Sequence, residues 1–86
     1  MARKRRNNVD ITADILKIAK YGAKKTRIVY RANLNFKILH EYLDDLSEAG
    51  LITNGQEEKG IIKTTDKGIE FLNFYNKFKQ IAPGSI

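Results

Sequence analysis

The chain has 86 residues, no cysteine and one histidine, and sixteen Lys and Arg against ten Asp and Glu give it a net charge of +6. That length makes one small domain with a thin core, and the absence of cysteine excludes disulfides and thiolate metal sites. A metal would need carboxylates gathered around His40 from scattered surfaces, so neither a metal nor another cofactor is expected.

Residues 1–7 read as a basic arm carrying Arg3, Lys4, Arg5 and Arg6. Such a run serves either as a solubilising tail or as positive charge laid on phosphates or in a minor groove. No apolar segment follows it, so it does not read as a secretory signal. No apolar run in the chain reaches membrane-spanning length, and a soluble, cytoplasmic protein is expected.

Residues 8–86 then read as one domain, mainly α with a small β-hairpin. Its first helix starts near Asn8 or Asp10, either of which is a capping residue type. Val9, Ile11, Ile15, Leu16, Ile18 and Ala19 form a broad apolar side, Asp14, Lys17 and Lys20 face water, and Gly22 ends the helix. Tyr21, at this corner, reads as a packing residue. The second helix is short, capped by Thr26, and carries Ile28 and Val29 inward. Its N-terminus lies among Lys24, Lys25 and Arg27, with Arg31 one turn later. This is either a phosphate site or a solvated basic loop.

A break falls at Ala32-Asn33-Leu34-Asn35. Asn35 caps a third helix, residues 35–49, because its side-chain oxygen can accept a free backbone N–H of the first turn. Phe36, Leu39, Leu43 and Leu46, with Tyr42 alongside, recur at steps of three and four and mark its apolar face. Gly50 supplies the positive φ that closes it. Short helix, tight turn and longer capped helix is the helix-turn-helix arrangement, whose second helix can enter a DNA major groove. The outer face carries Asn35, Lys37, His40 and Glu41 in its first two turns and Asp44, Asp45 and Glu48 in its last two. That gradient suits a helix laid on DNA by its N-terminal half, although an exposed, solvated face would also carry such charges.

Leu51-Ile52-Thr53 and Gly60-Ile61-Ile62-Lys63-Thr64 read as two short strands. Asn54-Gly55 favours a tight hairpin between them, and the residues to Gly60 also permit a longer loop. The hairpin is the wing of a winged helix, and its tip, Gln56, Glu57, Glu58 and Lys59, is poorly suited to phosphate contact apart from Lys59. The last helix, residues 66–82, is capped by Thr65, favoured at its N-terminus by Asp66, and stopped by Pro83 and Gly84. Ile69 and Leu72 close the core, while Phe71, Phe74, Phe78 and Ile81 follow an a/d-like stripe with Tyr75 beside it. Exposed aromatics of this size mark an interface, and a homodimer through Phe71, Phe74, Tyr75, Phe78 and Ile81 is expected over a stripe folded back as ordinary core.

The charge is unevenly spread. Residues 1–37 hold eleven Lys and Arg against Asp10 and Asp14, a net of +9, and residues 38–86 hold five against eight, a net of −3. The positive field thus falls on the arm, the first two helices and the tip of the third, the parts a helix-turn-helix turns toward a polyanion.

The segments GAKKTRI, NLNFK, YLDDLSEAGLI and TDKGIEFL, in this order and spacing, resemble the archaeal ten-kilodalton winged-helix DNA-binding proteins, which are chromatin-associated or regulator-like. The resemblance covers roughly residues 8–78. It implies a winged helix, a recognition helix starting at Asn35, and dimers paired through the C-terminal helix. It also implies Lys37 and His40 facing DNA, with Lys24, Lys25 and Arg27 near phosphates. Two features depart from the family pattern: a last helix that stops at Pro83, and a wing carrying Glu57 and Glu58.

The expected function is a dimeric, non-catalytic, nucleoid-associated protein that binds double-stranded DNA, acting as a transcription regulator or a chromatin architectural protein. Phosphate contacts fall to Arg3, Lys4, Arg5, Arg6, Lys24, Lys25, Thr26, Arg27 and Arg31, and groove contacts to Asn35, Lys37 and His40. The alternatives are a protein–protein interaction module using the aromatic last helix, which does not need the charge split, and an RNA binder, which does. No small-molecule ligand is evident. An enzyme is disfavoured, because His40 beside Glu41 and Asp44 on an exposed helix makes no buried acid–base pair.

Overall fold

The computed structural model describes residues 8–55 and 59–81. The basic arm, the wing tip Gln56, Glu57 and Glu58, and the stop at Pro83 and Gly84 lie outside the described residues. Four helices follow in order: α1 (Asn8–Ile18), α2 (Lys25–Ala32), α3 (Phe36–Glu48) and α4 (Asp66–Ile81). α1 packs on both α2 and α4, and α2 packs on α3.

Helix ends show where local chemistry decided and where it did not. Asn35 caps α3 as its sequence position requires, its Oδ1 accepting the Ile38 N–H at 2.7 Å. At the other end the Leu51 N–H donates to the Leu46 carbonyl at 2.9 Å and the Gly50 N–H to Ser47 at 3.0 Å, with Gly50 at φ 82°. This pair of bonds is the Schellman closure, and it fixes where the chain leaves α3. Thr65 caps α4: its Oγ1 accepts the Gly68 N–H at 3.1 Å and donates to the Gly50 carbonyl at 2.6 Å. One hydroxyl therefore ties the start of α4 to the end of α3. Lys67 Nζ adds a bond to the Ala49 carbonyl at 2.9 Å, where a cation suits the negative end of α3.

α1 begins at Asn8 among the described residues. The side-chain oxygens of Asn8 and Asp10 accept hydrogen bonds from Tyr42 Oη at 2.7 Å and Tyr75 Oη at 2.5 Å, which bind α1 to α3 and α4. α1 ends at Ile18, short of Gly22, and a tight turn through Tyr21 follows. Thr26 does not cap α2, because the helix begins one residue earlier, with Lys24 at the cap position and no side-chain bond there.

The expected hairpin is reduced to bridges. Ile52 pairs antiparallel with Thr64, and Ile62 with Ala23 in the segment before α2, but no continuous strand forms among the described residues. Ala23 and Ile62 exchange both backbone bonds, at 2.9 and 2.8 Å. The Ile52–Thr64 pair is flanked by Thr53 N–H to Lys63 O at 2.8 Å and Thr65 N–H to Leu51 O at 3.0 Å. Thr53 also uses its hydroxyl oxygen, not its carbonyl, to accept the Lys63 N–H, which cuts the ladder short. The connection closes at Gly55 and Gly60, joined by a 2.7 Å backbone bond, so the longer loop forms in place of the two-residue turn.

Ile15, Leu16, Ile28, Leu39 and Ile62 are fully buried at the centre, and each such side chain contributes about 1.5–3 kcal/mol by leaving water. Leu43, Leu46, Ile52 and Leu72 complete the core, with Ile69 and Phe71 partly buried against it. Two residues expected inward lie half outside it: Val9 and Phe36 are each 48 % exposed. The polar exception inside is Thr64, whose hydroxyl donates to the Leu16 carbonyl at 2.7 Å and whose N–H donates to Ala19 O at 3.0 Å. The hydroxyl supplies a partner to the Leu16 carbonyl in the last turn of α1, whose carbonyls the helix itself leaves without one.

Candidate nucleic-acid interface

The turn between α2 and α3 is set by three consecutive residues. Asn33 takes the left-handed conformation, φ 58° and ψ 50°, which asparagine tolerates better than most residues. The Leu34 N–H then returns to the Val29 carbonyl at 3.0 Å, and Asn35 opens α3. Leu34 packs against the core, so turn and core together fix how α3 projects from α2.

Along α3 the burial pattern separates two faces. Leu39, Leu43 and Leu46 are buried, while Asn35, Phe36, Lys37, His40, Glu41, Asp44, Asp45 and Glu48 are exposed. Along α2, Ile28 and Ala32 are buried and Thr26, Arg27, Tyr30 and Arg31 are exposed, with Lys24 exposed just before the helix. Lys24, at the α2 cap position, makes no side-chain cap bond. Lys25, at the helix start, is half-buried and meets His40 in one shallow cleft, floored by Leu43 and Ile62 and edged by Asp44, Thr53 and Asn54. The fold thus brings Lys25 and His40 together beside the base of the wing. It puts Arg27 and Arg31 on the outward face of α2, and Lys37 on the opening turn of α3. Lys59, at the wing, is exposed with φ 45°.

Asn35 is engaged differently from the rest. Its Oδ1 is already the α3 cap, and a bidentate contact to adenine requires both the oxygen and the nitrogen of one amide. Its first role is to set the helix.

Sequence reasoning passed over Tyr30 and misplaced Phe36 and Tyr21. Tyr30 is 84 % exposed on the α2 face, three residues after Arg27, and that spacing alone signals a shared face. Tyr21, expected to pack, is 86 % exposed, with the Lys20 ammonium 5.5 Å from its ring centre.

On the far side, α4 turns Phe74, Phe78 and Ile81 to solvent, while Phe71 is half-buried. Val9, Phe71, Phe74, Tyr75 and Phe78 line one apolar groove. Tyr75 is held within the domain: its hydroxyl bonds to Asp10, and the Lys17 and Lys79 ammoniums lie 5.5 and 5.7 Å from its ring. The bond to Asp10, then burial, then the charges of Asp10 and Asp14 raise the Tyr75 pKa from 10.0 to about 12. Among the described residues, no group of His, Asp and Glu could hold a metal ion and no helix is long and apolar enough to cross a membrane.

Known proteins place this geometry in a family. No protein of curated function matches the chain. Among solved structures, it is similar to Sso10a-2, described as a DNA-binding protein from Sulfolobus solfataricus, at 27 % identity and a TM-score of 0.78, covering 88 % of this chain and 81 % of that one. A family model described as winged helix-turn-helix matches residues 5–83. The chain belongs to the winged helix-turn-helix family.

Proposed function

We propose that the protein binds double-stranded DNA, with the N-terminal half of α3 in the major groove and the start of α2 on the phosphate backbone. The observation that carries this reading is the joint placement of fold and charge. The exposed residues of α2 and of the first turn of α3 include Lys24, Arg27, Arg31 and Lys37, whereas Asp44, Asp45 and Glu48 occupy the far end of α3. A recognition helix entered by its N-terminal end keeps its carboxylates away from phosphates. The DNA binding stated for Sso10a-2 supports the same reading. Contacts are divided so that Lys24, Lys25, Thr26, Arg27, Arg31 and the arm residues Arg3, Lys4, Arg5 and Arg6 hold phosphates. Lys37 and His40 reach base edges. Phosphate contacts position the protein and base contacts specify.

The protein acts as a homodimer through α4, in a nucleoid-associated role as regulator or architectural protein. Support comes from the apolar groove and from Phe74 at 75 % and Ile81 at 81 % exposure, a surface of the kind that marks a partner site. Tyr75 borders that surface while holding α4 to α1 through Asp10. If the same face served a different protein instead, duplex affinity would not depend on self-association.

The test is a fluorescence-anisotropy titration of a random-sequence duplex of about twenty base pairs at three salt concentrations. Log K is expected to fall with log salt at a slope of about −0.9 per phosphate neutralised, with roughly four or more contacts per dimer. Absence of binding at about 50 mM salt, where electrostatic association is strong, overturns the reading. A structured RNA of equal length as competitor separates duplex DNA from RNA.

A further inference from the structure

We infer that Phe36 is a base-reading residue, whose ring takes the 5-methyl group of thymine in the major groove. This rests on the duplex-DNA reading of α3 and deepens it by naming the base that the helix tip prefers.

The argument starts from a side chain in an unexpected place. By spacing, Phe36 heads the row that continues through Leu39, Leu43 and Leu46, which are 0 %, 6 % and 6 % exposed. Phe36 itself is 48 % exposed. The core beneath α3 therefore fills at Leu39 and does not extend to the first turn. An aromatic ring is left half in water at the end of the helix, with exposed Lys37 next to it and exposed His40 one turn further on.

A half-exposed phenyl ring at the start of the helix that enters the groove can take a ligand with an apolar feature amid a charged surface. The major groove offers one such feature, the thymine methyl, and phenylalanine is among the side chains that contact it. The neighbouring residues leave this task to Phe36. Asn35 Oδ1 is committed to the Ile38 N–H at 2.7 Å, which directs the amide along the helix start and away from a bidentate adenine contact. Lys37 donates to acceptor edges and supplies no apolar contact. Phe36 thereby adds a thymine preference beside whatever Lys37 and His40 read. It also adds a chemical basis for preferring DNA over RNA, since uracil lacks the methyl.

The experiment uses the full chain and two alternating A·T duplexes of about twenty base pairs, one with thymidine and one with deoxyuridine throughout. They differ only in the 5-methyl groups. Burial of one methyl is worth about fourfold in an equilibrium constant, so the wild type is expected to bind the thymidine duplex at least about fourfold more tightly. Phe36→Ala, with its fold checked by thermal unfolding, is expected to bind both duplexes alike, near the wild-type affinity for the deoxyuridine duplex. Equal wild-type affinities overturn the assignment without touching duplex binding itself. So does a ratio that survives Phe36→Ala, because the discrimination then comes from duplex shape and not from the ring. Failure to bind either duplex at about 50 mM salt overturns the duplex-DNA reading, and the inference falls with it.

Discussion

Replacing Gly68 by alanine tests the joint between α3 and α4 that positions the interface against the rest of the domain. Gly68 stands in the first turn of α4 and is buried. A Cβ placed there falls 2.5 Å from Thr64 Cγ2 and closer still to the Leu51 carbonyl oxygen, against 3.4–4 Å for ordinary contact. Neither obstacle is the end of a flexible side chain. Relief requires the start of α4 to retreat by about 1 Å, given carbon–carbon optima near 3.5–4.0 Å. That movement opens three bonds made at this joint: Thr65 N–H to Leu51 O, Thr65 Oγ1 to Gly50 O, and Lys67 Nζ to Ala49 O. Three lost hydrogen bonds at about 1 kcal/mol each outweigh the gain of about 1 kcal/mol from alanine's helix propensity. The net loss is about 2 kcal/mol, within the usual range for an overpacked site, about 1–3 kcal/mol. For a domain of this size it lowers Tm by roughly 8–16 °C. Differential scanning calorimetry or a circular-dichroism melt reads it directly. A Gly68→Ala protein that melts at or above the wild-type temperature refutes the close approach, because propensity alone would then be acting.

Three further outcomes follow from the same geometry. The variant carrying Lys24→Ala, Lys25→Ala and Arg27→Ala is expected to keep its fold and to flatten the log K–log salt slope by about 1 per phosphate contact removed; an unchanged slope removes these residues from the contact surface. Phe74→Glu with Phe78→Glu is expected to shift sedimentation equilibrium from dimer to monomer without lowering Tm by much, since both rings are more than half exposed. A wild-type protein already monomeric at tens of micromolar counts against pairing through α4. Tyr75 has its folded-state pKa raised to about 12, so its bond to Asp10 contributes stability fully present below about pH 10 and lost as pH rises toward 12. The urea-midpoint advantage of wild type over Tyr75→Phe is therefore expected to be constant from pH 7 to 9 and to shrink by pH 11. An advantage independent of pH would mean that the ionisation is not linked to folding.

Several elements could be read from local chemistry because their determinants lie within a few residues. Asn35 and Thr65 cap the helices they precede, and Gly50 closes α3 with positive φ. A cap needs only a short polar side chain beside free backbone N–H groups. The three-four spacing of Leu39, Leu43 and Leu46 named the buried face of α3. Contacts between segments distant in the chain were not legible: Asn8 and Asp10 each accept a tyrosine hydroxyl contributed by another helix. The expected strands shrank to bridges because Thr53 answers the Lys63 N–H with its hydroxyl and not with its carbonyl.

By itself the sequence determined the order of helices, the position of the turn between α2 and α3, and the placement of positive charge at that end of the chain, since periodicity, capping and charge are properties of neighbours along the backbone. Only the tertiary structure decided that the core stops at Leu39 and leaves Phe36 half in water, that Tyr30 stands on the outward face of α2, and that Tyr75 is tied to α1 while Phe74 is not. Helical spacing assigns a residue to a face. Whether that face is covered at a given turn depends on how far the neighbouring helices extend across it, and that length is fixed by packing between segments distant in the chain.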